Sequence, residues 1–418
     1  MLDIKFIKEN LDSVKRTAEL KRCAVDLTHL LTLDDKRRAL LQSVEQKKSL
    51  RNNANQEITQ LRKAGKDFNA KIEEMKELAQ EIKETDATLA GLETKIHEIM
   101  ITIPNVTHPD VPLGKDATEN KVIKEWGEER DFDFEPKDHL EIAEASGVLD
   151  MKRAGKVSGS GFGLYFGKGA MLERALINFM LDYHIKKHSY TEVLPPFLVN
   201  EQTMFGTGQL PKLKEDMYFL DQDGLYLIPT AEVPVTNIHR GEILHEKDLP
   251  IRYVSYTPCF RREAGSYGKD TRGISRVHQF NKVEMVKFTT PETSYAEHET
   301  LLRDAEDILQ ALGLRYRVML LSAGDMSFAA AKCYDIEVWA PGSKRWLEVS
   351  SCSNFEDFQA RRADIRYRPK EGSKTRFVHT LNASGVALPR TFIAILEQYQ
   401  NNDSTFTVPN VLLEYCRH

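Results

Sequence analysis

Between Thr257 and Val286 the chain brings together groups that could hold a nucleotide. Arg261 and Glu263 are separated by one residue. On an extended strand residues i and i+2 share a face, so both are expected to reach one ligand. Gly265, Gly268 and Gly273 come next as backbone freedom for a loop, with Lys269, Arg272 and Arg276 as cations for an anion. Phe280, Lys282 and Glu284 then alternate along a returning strand. Chemically, an arginine neutralises phosphate, a phenylalanine stacks on a base, and a glutamate accepts from an amine. From Arg252 to Lys287 there are eight Lys/Arg and three Asp/Glu, a local +5 in a chain of net charge −5. Such an excess suits a phosphate-rich partner. A solvated, charged hairpin would show the same balance.

Three further stretches carry groups of this kind. Tyr226 and Ile228 alternate up to Pro229, and Thr230-Ala231-Glu232 then opens a helical segment. Thr230 and Glu232 read either as a capping pair or as a pair for a substrate. Asp335 to Trp339 and Trp346 to Ser351 read as strands joined at Pro341-Gly342, with Glu348 and Ser350 on one face. An ordinary sheet edge would also present them. In Leu381 to Gln400, small residues at Ala383, Ser384, Gly385 and Ala387 allow close backbone packing, and Arg390 begins an apolar helix. An arginine at a helix start is poorly placed for the helix dipole, so another role is expected of it.

The elements that position these groups are set by periodicity. Residues 1–22 read as one amphipathic helix with Asp3 as N-cap. Residues 30–103 contain no proline, and Leu40, Val44, Lys47, Arg51, Ala54, Ile58 and Leu61 keep a 4-3 spacing. After Gly65 the spacing restarts at Phe68, Ile72, Met75, Ala79, Ile82, Asp86 and Leu89. Two heptad helices about a tight turn make an antiparallel coiled-coil hairpin, each limb on the order of 50 Å long. Folding about Gly65-Lys66 sets Lys47 opposite Asp86. Residues 36–66 hold nine Lys/Arg and two Asp/Glu, whereas residues 67–100 hold four and nine. Mutual neutralisation accounts for that asymmetry, and so does a basic limb offered to nucleic-acid phosphates. Pro104 ends the arm, a linker runs to about residue 120, and a polar, turn-rich stretch reaches about residue 168. Within that stretch Phe162 to Phe166 reads as a short strand. Gly169 to Ser189 is a helix that runs into Tyr190 to Pro196; Glu297 to Leu312 is a helix and Arg315 to Ser322 a strand.

Composition bounds the class. A chain of 418 residues, 41% hydrophobic and 29% charged, has room for two or three domains with a real core. Its five cysteines are scattered, with no Cys-x-x-Cys, so no disulfide framework and no zinc site are expected. A reducing, cytoplasmic setting fits that usage. No apolar run approaches about twenty residues and the N-terminus lacks a signal-peptide core, which argues against a membrane or secreted protein.

The wording Phe260-Arg-x-Glu-Ala-Gly265 and Arg276-Val-His-Gln-Phe-x-Lys-Val-Glu284 resembles motif 2 of the class II aminoacyl-tRNA synthetases (residues 257–286), and most of all the bacterial-type seryl-tRNA synthetases. Residues 169–196 resemble motif 1, the dimer-forming part, and residues 381–400 resemble motif 3. The resemblance implies an α+β fold: an antiparallel sheet flanked by helices, with an N-terminal coiled-coil arm. It implies a helical domain at 1–103 and a catalytic domain at 104–418. It implies a ligase that joins L-serine to tRNA(Ser), and admits tRNA(Sec), through a seryl-adenylate made from ATP. The arm at 30–103 would grip the long variable arm of the tRNA, and the enzyme would be a homodimer. Carried over position by position, Arg261 and Arg390 are catalytic. Arg261, Arg262, Glu263, Val277, Phe280, Glu348, Val349, Ser350, Ser351 and Arg390 meet ATP, with Mg²⁺ on Glu348 and Ser351. Thr230, Ala231, Glu232, Arg261, Glu284, Asn382 and Ser384 meet serine. Arg262 departs from the small residue usual in the family, and strand alternation turns it away from Arg261. Two rivals stay open: another class II ligase, and a non-catalytic coiled-coil adaptor on a degenerate core, which would lack the phosphate ligands.

Overall fold

The computed structural model describes residues 1–264, 272–370 and 374–417. Gly265, Gly268 and Lys269 of the expected basic loop lie outside the described residues. The backbone groups into two units: one of residues 2–19 and 23–103, the other of residue 1, residues 20–22 and residues 104–418.

The first unit is helical: α1 (Ile4–Glu9), α2 (Leu11–Leu20), α3 (Leu27–Lys63) and α4 (Asn69–Met100). Asp3 caps α1 by accepting from the Lys5 amide, as its place in the sequence suggests. The single helix expected over 1–22 is interrupted at Asn10, whose backbone turns out of the α region and whose amide bonds back to Phe6. Asp26 caps α3 through the His29 amide at 2.8 Å. Gly65 sits at φ +64° in the turn to α4, a conformation that favours glycine. Every expected seam residue of α3 is wholly or partly buried. In α4, Leu78 turns inward where Ala79 was expected, and Ala79 is exposed. A straight helix drifts against a strict seven-residue repeat, and the larger apolar side chain takes the seam. The expected Lys47–Asp86 pair is not formed: Lys47 meets Glu81 at 2.9 Å and Lys48 meets Asp86 at 3.2 Å.

In the second unit the order is β1 (Lys121–Trp126), α5 (His139–Ser146), α6 (Met151–Ser158), α7 (Lys168–His188), β2 (Thr191–Glu192), β3 (Leu198–Asn200), α8 (Glu201–Gly206), β4 (Phe219–Leu220), β5 (Leu225–Leu227), α9 (Glu232–Thr236), β6 (Ile243–His245), β7 (Ile251–Phe260), β8 (Gln279–Thr289), α10 (Ser294–Ala311), β9 (Tyr316–Leu320), β10 (Lys332–Ala340), β11 (Arg345–Asn354), α11 (Phe358–Ala363), β12 (Arg366–Arg368), β13 (Arg376–Phe377), β14 (His379–Ala387) and α12 (Leu388–Gln398). The polar stretch before residue 168 thus holds β1, α5 and α6. Asp138 and Glu141 close a capping box on α5 that composition alone hides. Phe162 to Phe166 is not a strand; only Tyr165 bridges, to Leu149.

The main sheet has the order β1-β9-β10-β11-β14-β8-β7-β2. Every pairing in it is antiparallel except β2 with β7. On β8, Val283 and Met285 join a core with Leu176 and Met180 of α7, Ala305 and Ile308 of α10, and Phe392 of α12. Lys282 and Glu284 alternate with them and therefore face the opposite side. The ladder is interrupted at two places on the strands that carry the candidate site residues. Between β10 and β11 the register shifts at Ile336/Glu337, leaving Val349 as an extra residue. Between β14 and β8 it shifts between Ser384 and Ala387.

Candidate active site

The polar face of the sheet floors a cavity of about 600 Å³, whose lining includes residues of β8, β11 and β14, of the segments that follow β5 and β7, and of the start of α12. One end is dominated by buried carboxylates. Glu284 of β8 does not itself line the cavity; it is fully buried behind the lining and has three donors: Lys282 Nζ at 2.6 Å, Asn382 Nδ2 at 2.7 Å and Ser384 Oγ at 3.3 Å. Glu232 accepts from Gln359 Nε2 at 2.7 Å and from Asn382 Nδ2 at 3.1 Å. Burial, and then the charge of Glu284, push the Glu232 carboxyl up to about 7, against the pull of Gln359, Lys282 and Arg261. Asn382 thus spans both acids through its amide nitrogen, while its Oδ1 is buried without a partner among the described residues. An orphan acceptor beside two carboxylates is a place for a cationic or hydroxylic ligand to donate.

Thr230 sits between these groups. Its Oγ1 accepts from Lys282 Nζ at 2.8 Å and from the Glu232 amide at 3.2 Å. The hydroxyl accepts from the first amide of α9 without being its N-cap, and both Thr230 and Glu232 line the cavity.

The other end is cationic and aromatic. Arg261 is anchored by its Nε to the Pro229 carbonyl at 3.2 Å, and its guanidinium lies 5.1 Å from the centre of the Phe280 ring. Arg390, in the first turn of α12, donates to the Glu348 carbonyl at 2.7 Å and lies 3.3 Å from its carboxylate. A third bond runs from its Nε to the Ser275 carbonyl at 3.3 Å. These partners hold an arginine at a helix start against the dipole. Glu263 pairs with Arg276 at 3.4 Å.

Several expectations about this region are corrected by the geometry. β7 ends at Phe260, so Arg261 and Glu263 do not share a strand face. Glu263 has φ +52°, and that turn brings its side chain to the cavity beside Arg261. Arg262 is exposed, lies 5.7 Å from the centre of the Tyr218 ring and does not line the cavity. Glu348 and Ser350 do not share a face. The bulge at Val349 turns Glu348, Val349 and Ser351 to the cavity, while Ser350 is buried and donates to the Ser384 carbonyl. Ala231 is buried behind the lining in a separate apolar cluster. Val277, Phe280, Asn382, Ser384 and Arg390 all line the cavity. Lys282 and Gln359 were missed as site residues. A lysine two residues before the single acid of an otherwise mostly apolar strand was the only signal for the first; a glutamine within Phe358-Gln-Ala-Arg-Arg-Ala363 gave none for the second.

Similarity to known proteins bears on both ends of the chain. Residues 1–107 match the seryl-tRNA synthetase N-terminal domain family, and residues 218–399 match the class II tRNA synthetase core domain of the G, H, P, S and T enzymes. The serine–tRNA ligase of Thermodesulfovibrio yellowstonii is 54% identical over 418 residues, covering 99% of this chain and 98% of that protein. The crystal structure of seryl-tRNA synthetase from Pyrococcus horikoshii complexed with ATP superposes with a TM-score of 0.94 at 39% identity, covering 100% of this chain and 98% of that one. The cytoplasmic serine–tRNA ligase of Naegleria fowleri in complex with AMP gives 0.88 at 28% identity, covering 100% and 97%.

Proposed function

The chain belongs to the seryl-tRNA synthetases, and from that premise we propose how its own residues attach L-serine to tRNA(Ser) with ATP. The observation that carries the reading is that one cavity joins an acidic end, where Glu232 lines it and Glu284 backs Lys282, Asn382 and Ser384, to a cationic end at Arg261 and Arg390. Serine lies at the acidic end, with its ammonium and hydroxyl among Glu232, Glu284, Asn382, Ser384 and Thr230. ATP lies at the other end, its adenine on Phe280 and near Glu263 and the Val277 backbone, its phosphates toward Arg261 and Arg390.

The serine carboxylate is already a nucleophile, so adenylation needs no general base. Rate comes from alignment and from charge placed where the α-phosphorus gains it. Arg261, at the cationic end but with its charge felt by Glu232, would bridge the carboxylate and the α-phosphate. Pyrophosphate then departs toward Arg390; a terminal ribose hydroxyl of the tRNA attacks the seryl carbonyl of the adenylate, the acyl–phosphate bond breaks, and AMP leaves with the hydroxyl proton passing to it or to water. Glu348 and Ser351 fit a Mg²⁺ ion: both present oxygen to the cavity. Among the described residues no group of three or more acidic, histidine or cysteine side chains could hold an ion alone. Magnesium keeps waters and takes polyphosphate oxygens, so two protein oxygens suffice, and its chemistry here is to neutralise phosphate charge.

The helical arm is read as the tRNA grip, and α7 with the edge strand β2 as the contact between two copies. Leu194, beyond that edge, is 74% exposed. Among the described residues no helix is long and apolar enough to cross a membrane, and we place the enzyme in the cytoplasm.

The test is amino-acid-dependent ATP–pyrophosphate exchange without tRNA across all twenty amino acids, on wild type and Arg261→Ala. Exchange with serine alone, reduced at least about a thousandfold by the substitution, is expected from the loss of a transition-state charge partner. Exchange with another amino acid would overturn the serine assignment, and no exchange at all would favour the adaptor reading. Charging of tRNA(Ser) and tRNA(Sec) by the same preparation determines the tRNA range.

A further inference from the structure

Behind the serine end, β14 loses its ladder to β8 between Ser384 and Ala387. The backbone groups freed there are met by α7 instead. The Gly385 carbonyl accepts from His184 Nε2 at 3.2 Å, and the Val386 amide reaches Met180 Sδ at 3.4 Å. His184 and Met180 are four residues apart and so share a helix face. The imidazole packs hard against the strand: a Cβ on Gly385 would meet His184 Nε2 at 2.6 Å, so only glycine fits.

Hydrogen-bond direction then fixes the protons. A carbonyl only accepts, so His184 carries its proton on Nε2. Burial, aided by neighbouring His188, pushes His184 down to about 3, so it is neutral and its Nδ1 is an acceptor. His188 Nδ1 lies 3.0 Å from that Nδ1 and must supply the hydrogen. His188 Nε2 lies 3.1 Å from Asp307 Oδ2 and 3.8 Å from Asp304 Oδ1, and carboxylates also only accept. His188 therefore directs one ring nitrogen to His184 and the other to the carboxylates. The groups facing it are His184 and the Tyr183 ring on α7, and Asp304 and Asp307 on α10. Asp304 is shared with Tyr190, whose hydroxyl donates at 2.7 Å, and with Lys287 of β8 at 3.4 Å.

We propose that His184 and His188 are positioning residues for serine: the His188 ring, held between Asp307 and His184, locks the His184 Nε2–H tautomer, which holds Gly385 and thereby sets the Ser384 hydroxyl against Glu284. The proposal rests on the reading that Ser384 and Glu284 meet serine. If the bond to His184 fails, two lone pairs face each other at 3.0 Å and the imidazole no longer holds Gly385.

The experiment is serine-dependent pyrophosphate exchange at neutral pH, with Michaelis constants for serine and ATP measured separately. His188→Ala raises the serine constant by about three- to tenfold, the scale of one lost hydrogen bond, and leaves that for ATP within twofold of wild type. Asp307→Asn, at a half-exposed carboxylate, keeps the fold and an acceptor for His188, and raises the serine constant in the same direction by less. Nitrogen-15 histidine spectra of the intact wild type should show an Nε2–H ring for His184 whose signals change in His188→Ala. Serine constants within twofold of wild type in both variants would overturn the proposal. Glu284→Gln is the control: if it too leaves the serine constant unchanged, the serine-site reading fails as well. If it alone raises the constant, only the histidine proposal fails.

Discussion

The helical arm and the catalytic sheet use charge in opposite ways. In the arm, Lys47–Glu81, Lys48–Asp86 and Lys71–Glu57 join the two limbs with side chains a quarter to a half or more exposed. Such pairs are screened and each contributes little. In the sheet, Lys282–Glu284 and Lys287–Glu297 are buried, with both lysines below a tenth exposed. Removing charge from water there costs several kcal/mol per ion and is offset only by complete hydrogen bonding. Exposed charge is therefore available to a partner such as a tRNA backbone. Buried charge is committed to geometry, which a small substrate requires.

The largest effect expected from this contrast is a separation of the two steps. Deleting residues 30–103 should leave serine-dependent pyrophosphate exchange within a few-fold of wild type and lower tRNA charging by about a thousandfold or more, since a macromolecular contact surface is lost while the small-molecule site is intact. Equal loss of both reactions would break the division of labour between arm and sheet.

The same difference governs how far each region can be read from sequence. The arm is local: a 4-3 repeat, a capping aspartate and a glycine turn fix its course. Only the side-by-side choices, Leu78 over Ala79 and Lys48 over Lys47, depend on how far the helix drifts against seven residues. The site is non-local. Phe280 and Glu284 are legible because β8 keeps its period of two. Glu348 and Ser351 share a side only because β11 carries a bulge, which no alternation rule contains. Glu263 reaches the cavity through a positive φ rather than a strand. Gln359 and Lys282 acquire meaning only from partners 127 and 52 residues away, Glu232 and Thr230. The capped helix α5 vanished into a polar stretch because its first turn is bonded to side chains rather than marked by an apolar repeat.

The next effect concerns the buried pair. Lys282→Met removes the closest donor of Glu284 and one of the two hydrogens accepted by Thr230. Breaking one side of a buried pair costs about 3–5 kcal/mol. Chemical denaturation is expected to show that loss, and the serine constant in exchange to rise steeply. A variant as stable as wild type would mean that Lys282 holds no uncompensated acid in place.

A smaller, pH-dependent effect belongs to Glu232. Its carboxyl is raised from 4.5 to about 7 in the fold. Between those values the folded chain keeps a proton that the unfolded chain has released, so this group's contribution to stability falls as pH rises through that window. The whole shift amounts to about 3 kcal/mol at most. Glu232→Gln removes it, so the variant should match wild type near pH 5 and melt higher near pH 8, while using serine less well. A difference in melting temperature that is constant from pH 5 to 8 would contradict the assignment.

The smallest effect is expected in the arm, where exposure to water screens the pair. Lys48 and Asp86 are each nearly half exposed and sit 3.2 Å apart. A double-mutant cycle with Lys48→Ala and Asp86→Ala should give a coupling of about 0.2–1 kcal/mol at low salt, shrinking toward zero at about 1 M salt. If the coupling matched that of Lys282 and Glu284, the arm's charges would be structural, and the basic excess of its first limb would be needed to hold the hairpin closed. If it is small, α3 can lose a lysine with little loss of stability. Any larger loss of tRNA charging in Lys48→Ala, with pyrophosphate exchange unchanged, would then come from a contact with the nucleic acid rather than from the fold.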